Sequence, residues 1–193
     1  MCRATRLRVL FAGCLVISLP VEAALQCTER ALEAPATPEG VYVNLMTGIT
    51  GETEASVPGF DINLYAPANA DPPGQLKFYW GQSSIGGAGV ASIADTYAVL
   101  APGDTIGPAS LFTRAAFAGN TSAWQAGTTG FLGLRFRNEA SAVINYGWVQ
   151  LATTPPFGFP ATILRWCYED SGAAITIPAP PDSLFADGFD PGT

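Results

Sequence analysis

After Phe131 the chain alternates through residue 137: Leu132, Leu134 and Phe136 take the even positions, and Gly133, Arg135 and Arg137 the odd ones. A period of two marks a strand with one buried face, because successive side chains point to opposite sides of a sheet. The apolar set turns inward and both arginines turn to the outer face. Residues 138–142 supply a turn. Residues 143–151 are apolar on both faces, as in a central strand covered on both sides. Residues 161–169 alternate again, with Leu164, Trp166 and Tyr168 set against Arg165, Cys167 and Glu169.

Shorter strands are expected over residues 41–46, 61–65, 76–80, 97–100 and 173–177, with turn residues between them. Residues 110–117 fit a strand or a short helix. Pro35 and Pro38 argue against any regular element in residues 24–39, and Gly86, Gly87 and Gly89 read as a loop. Trp124 falls in a polar loop, within reach of solvent. No long pattern of period 3.6 follows the first two dozen residues. Charged residues make up only 13% of the chain, beside 21 glycines and 16 prolines. The fold class is therefore all-β: an antiparallel β-sandwich, jelly-roll-like, over residues 24–177 as a single domain.

The beginning of the chain indicates export. Arg3, Arg6 and Arg8 precede an apolar run over residues 9–19, and Val21, Glu22 and Ala23 form a cleavage site with a small last residue. Residues 1–23 are read as a secretory signal peptide. The run is too short to span a bilayer, which takes about 20 residues, so no transmembrane segment remains after cleavage. A lipoprotein signal on Cys14 is the rival, with a very short apolar stretch before it. Without residues 1–23 the chain holds 6 basic and 15 acidic residues, a net charge of 6 − 15 = −9. Nucleic acid and anionic lipid would repel it.

Cys27 and Cys167 remain after cleavage. An even pair in an oxidising compartment is expected to form a disulfide. Closing a loop of this length is worth about 3–5 kcal/mol in the chain-entropy model.

Three stretches carry a family resemblance. Gly130-Phe131-Leu132-Gly133-Leu134-Arg135-Phe136, then Asn145-Tyr146-Gly147-Trp148-Val149-Gln150-Leu151, then Trp166-Cys167-Tyr168-Glu169 resemble the body of bacterial exported proteins of the PEP-CTERM-associated type. The likeness covers residues 130–177 best. It implies an exported β-sandwich-like domain. Asn145 stands where that family often has histidine, and its sorting helix is absent. Residues 178–181 form a proline-rich linker. Behind it Phe185, Ala186, Asp187, Gly188 and Phe189 resemble an "IFADGFE"-type tail of exported bacterial proteins, which reads either as a recognition tag or as an apolar end docked on its own domain.

The chain has no histidine. That removes Ser-His-Asp and Cys-His machinery and most zinc sites. Asp61, Asp95, Asp104, Glu139, Glu169 and Asp170 fall at strand ends and turns, where carboxylates cap or face water rather than oppose each other across a cleft. No catalytic residue, metal site or cofactor is assigned. The expected function is a non-catalytic structural or interaction protein of the envelope or extracellular matrix. Its partner would be an envelope or matrix protein or polysaccharide, and nucleic acid is not expected. The alternative is a carbohydrate-binding module whose platform is Tyr146 and Trp148 beside Trp166 and Tyr168. That alternative needs exposed rings, whereas rings that fill the space between two sheets exclude it.

Overall fold

The computed structural model describes residues 25–81, 88–113 and 119–179. The expected signal peptide and the tail motif at residues 185–189 lie outside the described residues. In chain order the strands are β1 (Leu25–Ala34), β2 (Val41–Val43), β3 (Thr50–Gly51), β4 (Ile62–Tyr65), β5 (Lys77–Tyr79), β6 (Gly89–Ile93), β7 (Thr96–Tyr97), β8 (Thr105–Ile106), β9 (Phe112–Thr113), β10 (Thr129–Arg137), β11 (Ile144–Ala152), β12 (Ala161–Glu169) and β13 (Ile175–Thr176). A seven-stranded sheet runs β1-β12-β11-β10-β6-β7, with β9 also on β6, and a four-stranded sheet runs β3-β2-β4-β5. All pairs within these two sheets are antiparallel. The two sheets stack into an all-β sandwich.

The alternation in β10 decides the packing. Leu132, Leu134 and Phe136 enter the main core with Val149 and Leu151 of β11. From the four-stranded sheet come Val41, Val43, Ile62, Leu64 and Phe78, with Trp80 just past β5. The indole Nε1 of Trp166 donates to the Leu45 carbonyl at 3.1 Å and so ties one sheet to the other.

The parity expected for β12 holds only in its second half. Gln150 pairs with Arg165 but Leu151 pairs with Ile163, so Leu164 is the extra residue of a bulge. The bulge turns Ile163 and Trp166 to the same side, both fully buried, and leaves Leu164 half-buried. Period-two counting across a bulge assigns half of a strand to the wrong face.

Two further expectations are corrected. Residues 25–34 are not an irregular entry segment but the ten-residue edge strand β1. Its composition is poor in β-branched and aromatic residues; pairing with β12 prevails over that weak preference. Cys27 lies directly opposite Cys167, and the two are joined by a disulfide, with Cα atoms 4.1 Å apart. Trp124 is not at the surface but fully buried. It sits on a single helical turn, α1 (Ser122–Gln125), held by Thr121 Oγ1 donating to the Leu76 carbonyl at 2.8 Å. Its ring meets Phe78 edge-on at 6.0 Å.

A third, smaller layer covers the far side of the large sheet. Strands β8 and β13 pair there, and Ile106, Ile175 and Ile177 close over Phe131, Trp148 and Cys167. Gly133 permits this approach: a Cβ at that position would lie 2.8 Å from Leu100 and 3.0 Å from Ile106. Among the described residues no helix is long and apolar enough to cross a membrane.

Candidate functional site

The four rings expected as a sugar platform do not come together. Register places Gly147 opposite Tyr168, Trp148 opposite Cys167 and Val149 opposite Trp166. Tyr146 and Trp148 therefore occupy one face of the large sheet, and Trp166 and Tyr168 the other. Trp148 and Trp166 have no exposed surface, Tyr146 keeps 6%, and Tyr168 is half-buried. Trp148 is further covered by the Arg165 guanidinium, 5.5 Å above the ring, which bonds to Gln150 at 2.7 Å and pairs with Glu29 at 3.3 Å. These residues build two cores and offer no stacking face.

Three of the six carboxylates named in the sequence accept from backbone amides, and Glu169 Oε2 is buried without a partner. Asp61 Oδ2 accepts from the Leu45 amide, Asp104 Oδ2 from the Ala101 amide, and Glu169 Oε1 from the Ser171 amide, each at 2.8 Å. Burial holds the Asp61 carboxyl well above the usual range, opposed by the Leu45 amide bond and assisted by the nearby charge of Glu139. Among the described residues no group of three or more acidic or cysteine side chains could hold a metal ion.

A different surface gathers polar and aromatic groups: the outer face of the four-stranded sheet. On β4, Ile62 and Leu64 point into the core, so Asn63 and Tyr65 point out. On β5, Phe78 points in, so Lys77 and Tyr79 point out. On β2, Tyr42 points out between Val41 and Val43. Register then sets Tyr42, Asn63 and Tyr79 in one row across three strands, with Tyr65 beside Lys77 in the next. Phe60 touches both flanking rings, 4.8 Å from Tyr42 and 5.4 Å from Tyr79. Asn63, 2% exposed, lies among these rings. Its Nδ2 donates to the Glu39 carbonyl at 3.0 Å, while its Oδ1 has no partner.

Two hollows flank this row. One, of about 370 Å³, is lined by Glu54, Pro58, Gly59, Phe60 and Gly81 among others. The second, of about 510 Å³, is lined by Tyr65, Pro67, Asn69, Ala70 and Lys77. Both volumes fall within the usual range of small-ligand sites, about 300–1,000 Å³. Burial pushes Tyr65 up to about 12, helped by Tyr97, Tyr42 and Tyr79. Burial also raises Tyr42, with the charges of Glu39 and Glu54 and against an opposing hydrogen bond from Asn63, and raises Tyr79, with Glu54. The three phenols therefore keep their protons through the neutral range, and Tyr42 donates its proton to Glu39 Oε2 at 3.5 Å. Glu39 and Glu54 supply negative charge near Tyr42, and Lys77 supplies a cation beside Tyr65. Tyr42, Asn63 and Tyr65 are buried, at 6%, 2% and 8% exposure, Tyr42 in a small cluster with Val57 and Phe60, and Lys77 and Tyr79 are half-buried at its rim.

Sequence reasoning missed this face because Tyr42, Asn63, Tyr65, Lys77 and Tyr79 come from three short strands whose register is not visible in the chain. The alternation Asp61-Ile62-Asn63-Leu64-Tyr65 was its one legible trace. Compared with family models, with curated proteins and with solved structures, the chain matches none.

Proposed function

We propose that this chain is an exported, non-catalytic binding protein of the bacterial envelope or extracellular matrix. The observation that carries the reading is the Cys27–Cys167 bond. Such bonds persist in oxidising compartments and are rare in the cytosol. The basic and apolar start of the chain and the resemblance over residues 130–177 support the same reading. The lack of histidine, and the backbone-amide bonds of Asp61, Asp104 and Glu169, favour binding over catalysis. The outer face of the four-stranded sheet is the surface proposed to engage the partner, with Lys77 as its cation.

Fractionation of the native host tests this reading. The protein is expected with the periplasm, the cell surface or the medium, and released from any envelope association by substituting the outer-face residues Lys77 and Tyr79. Recovery in the cytosolic fraction, or envelope retention unaffected by both substitutions, counts against it.

A further inference from the structure

We propose that the hollow between Tyr65, Lys77 and the loop that joins them binds a small monocarboxylate with an apolar body. This rests on the binding-protein reading above and names a ligand class for its cation. The first argument is that the hollow is already built. Strand β4 ends at Tyr65 and β5 begins at Lys77, and the two lie opposite each other in register. Residues 66–76 join the strands, and Pro67, Asn69 and Ala70 supply the remaining wall. That loop is anchored at both ends. The Ala66 amide donates to the Thr37 carbonyl at 2.9 Å, and the Leu76 amide to the Phe157 carbonyl at 2.8 Å. Between these anchors the Ala70 amide closes a turn on the Pro67 carbonyl at 3.2 Å. The space, about 510 Å³, is open without any side chain moving.

The second argument is Lys77, the only lysine in the chain. It lines the hollow and is half-buried. No carboxylate of the described residues lies within ion-pair distance of its ammonium, although the chain carries −7 overall. An ammonium that has lost part of its hydration and has no internal counter-charge favours an anion seated against it. The hydrogen bond so formed is charge-assisted, about twice as strong as a neutral one. Burial keeps the Tyr65 phenol protonated, its pKa pushed up to about 12, so that wall adds no negative charge.

The third argument is the balance of the lining. One cation matches one negative charge. A phosphate dianion or an acidic polymer would bring charge that nothing here neutralises, against a chain that is already acidic. Pro67, Ala70 and the Tyr65 ring offer apolar surface to the body of the acid, and the Asn69 amide adds donors to the same hollow. The volume lies within the small-ligand range, about 300–1,000 Å³, and suits an aryl or short-chain acid.

The test uses the folded, oxidised protein and three probes: benzoate, 3-phenylpropionate and hexanoate. Carbon-13 methylation of Lys77 keeps its charge and gives a single lysine signal, since the chain has no other lysine. At least one acid is expected to shift that signal saturably, with a dissociation constant of about 1 mM or tighter. Sodium chloride at equal ionic strength and 3-phenylpropionamide should leave it in place. No saturable shift from any of the three acids overturns the proposal, and so does an equal shift from chloride or from the amide. Saturation-transfer difference on the bound acid gives a second readout with unlabelled protein. Lys77→Gln, which removes the charge, and Ala70→Trp, which fills the hollow, should each weaken binding at least tenfold while circular dichroism stays unchanged. Binding that survives both substitutions overturns the proposal. The fractionation described above separates the two claims. Envelope release on substituting Lys77 and Tyr79 without binding of any acid overturns the carboxylate and leaves the binding-protein reading standing, whereas failure of both removes both.

Discussion

Replacing Cys27 and Cys167 together by alanine should destabilise the domain strongly while leaving its fold intact. The bond closes a loop of 140 residues. In the chain-entropy model a loop of that length is worth about 5 kcal/mol, and measured losses from native disulfides run at about 2–5. Against a total stability of about 5–15 kcal/mol, that is a large fraction. Alanine is the right replacement at residue 167. Cys167 is 2% exposed among apolar neighbours, and serine would bury a hydroxyl with nothing to bond. Strand β1 should stay in place in the variant. Ala34 remains buried, Leu32 remains packed on the main core, and Glu29 remains paired with Arg165. With a urea m-value of about 2 kcal/mol/M, the midpoint should fall by about 1–2.5 M. The m-value should rise slightly, because the unfolded chain is no longer held compact. Equilibrium urea unfolding followed by tryptophan fluorescence measures both, and reduced wild type should match the variant. A midpoint shift under about 0.3 M, much smaller than a loop of this length permits, would refute the reasoning.

Three further outcomes follow from named contacts. Trp166→Phe should cost about 1–3 kcal/mol more than Trp148→Phe in thermal or urea unfolding, because only Trp166 Nε1 has a partner, the Leu45 carbonyl, to leave unpaired; equal losses would contradict it. Asn145 is fully buried and neither amide atom is bonded, so Asn145→Leu should raise the melting temperature, since an unbonded buried amide costs about 1–3 kcal/mol; a lower melting temperature would show that the amide has partners. Asp61 has a folded pKa raised by burial above the ordinary 3.8. The folded state then binds the proton more tightly than the unfolded state, and the stability this group contributes is lost as pH rises from the ordinary range through the folded value. Asp61→Asn, whose carbonyl can still accept from Leu45, should be more stable than wild type at neutral pH, with the advantage vanishing in acid. A pH-independent difference would be the contrary result.

The long meander was legible because its signal is local. Leu132, Leu134 and Phe136 declare a buried face without reference to any other segment, and the apolar run of β11 declares a covered centre. The cysteine pair was legible from chemistry alone. What was not legible depends on contacts between distant segments. β1 has no propensity of its own and exists because β12 gives it a partner. The bulge at Leu164 leaves no mark in composition, so alternation carried straight through it put Leu164 with Trp166 when Ile163 belongs there. Trp124 looks solvated among polar neighbours, yet one helical turn presses it into the core. The rings of Tyr146 and Trp148 were paired by parity with those of Trp166 and Tyr168, although a shift of one residue between β11 and β12 separates them onto opposite faces. For the same reason the row of Tyr42, Asn63 and Tyr79 emerged only once three short strands were in register.

The most direct test of the central claim is the intact mass of the protein purified from its native host and alkylated under denaturing conditions without prior reduction. The account predicts a chain that begins near Ala24, carries no alkyl group and lacks two hydrogens. A chain that retains residues 1–23, or one that takes up alkyl groups at Cys27 and Cys167, would contradict it.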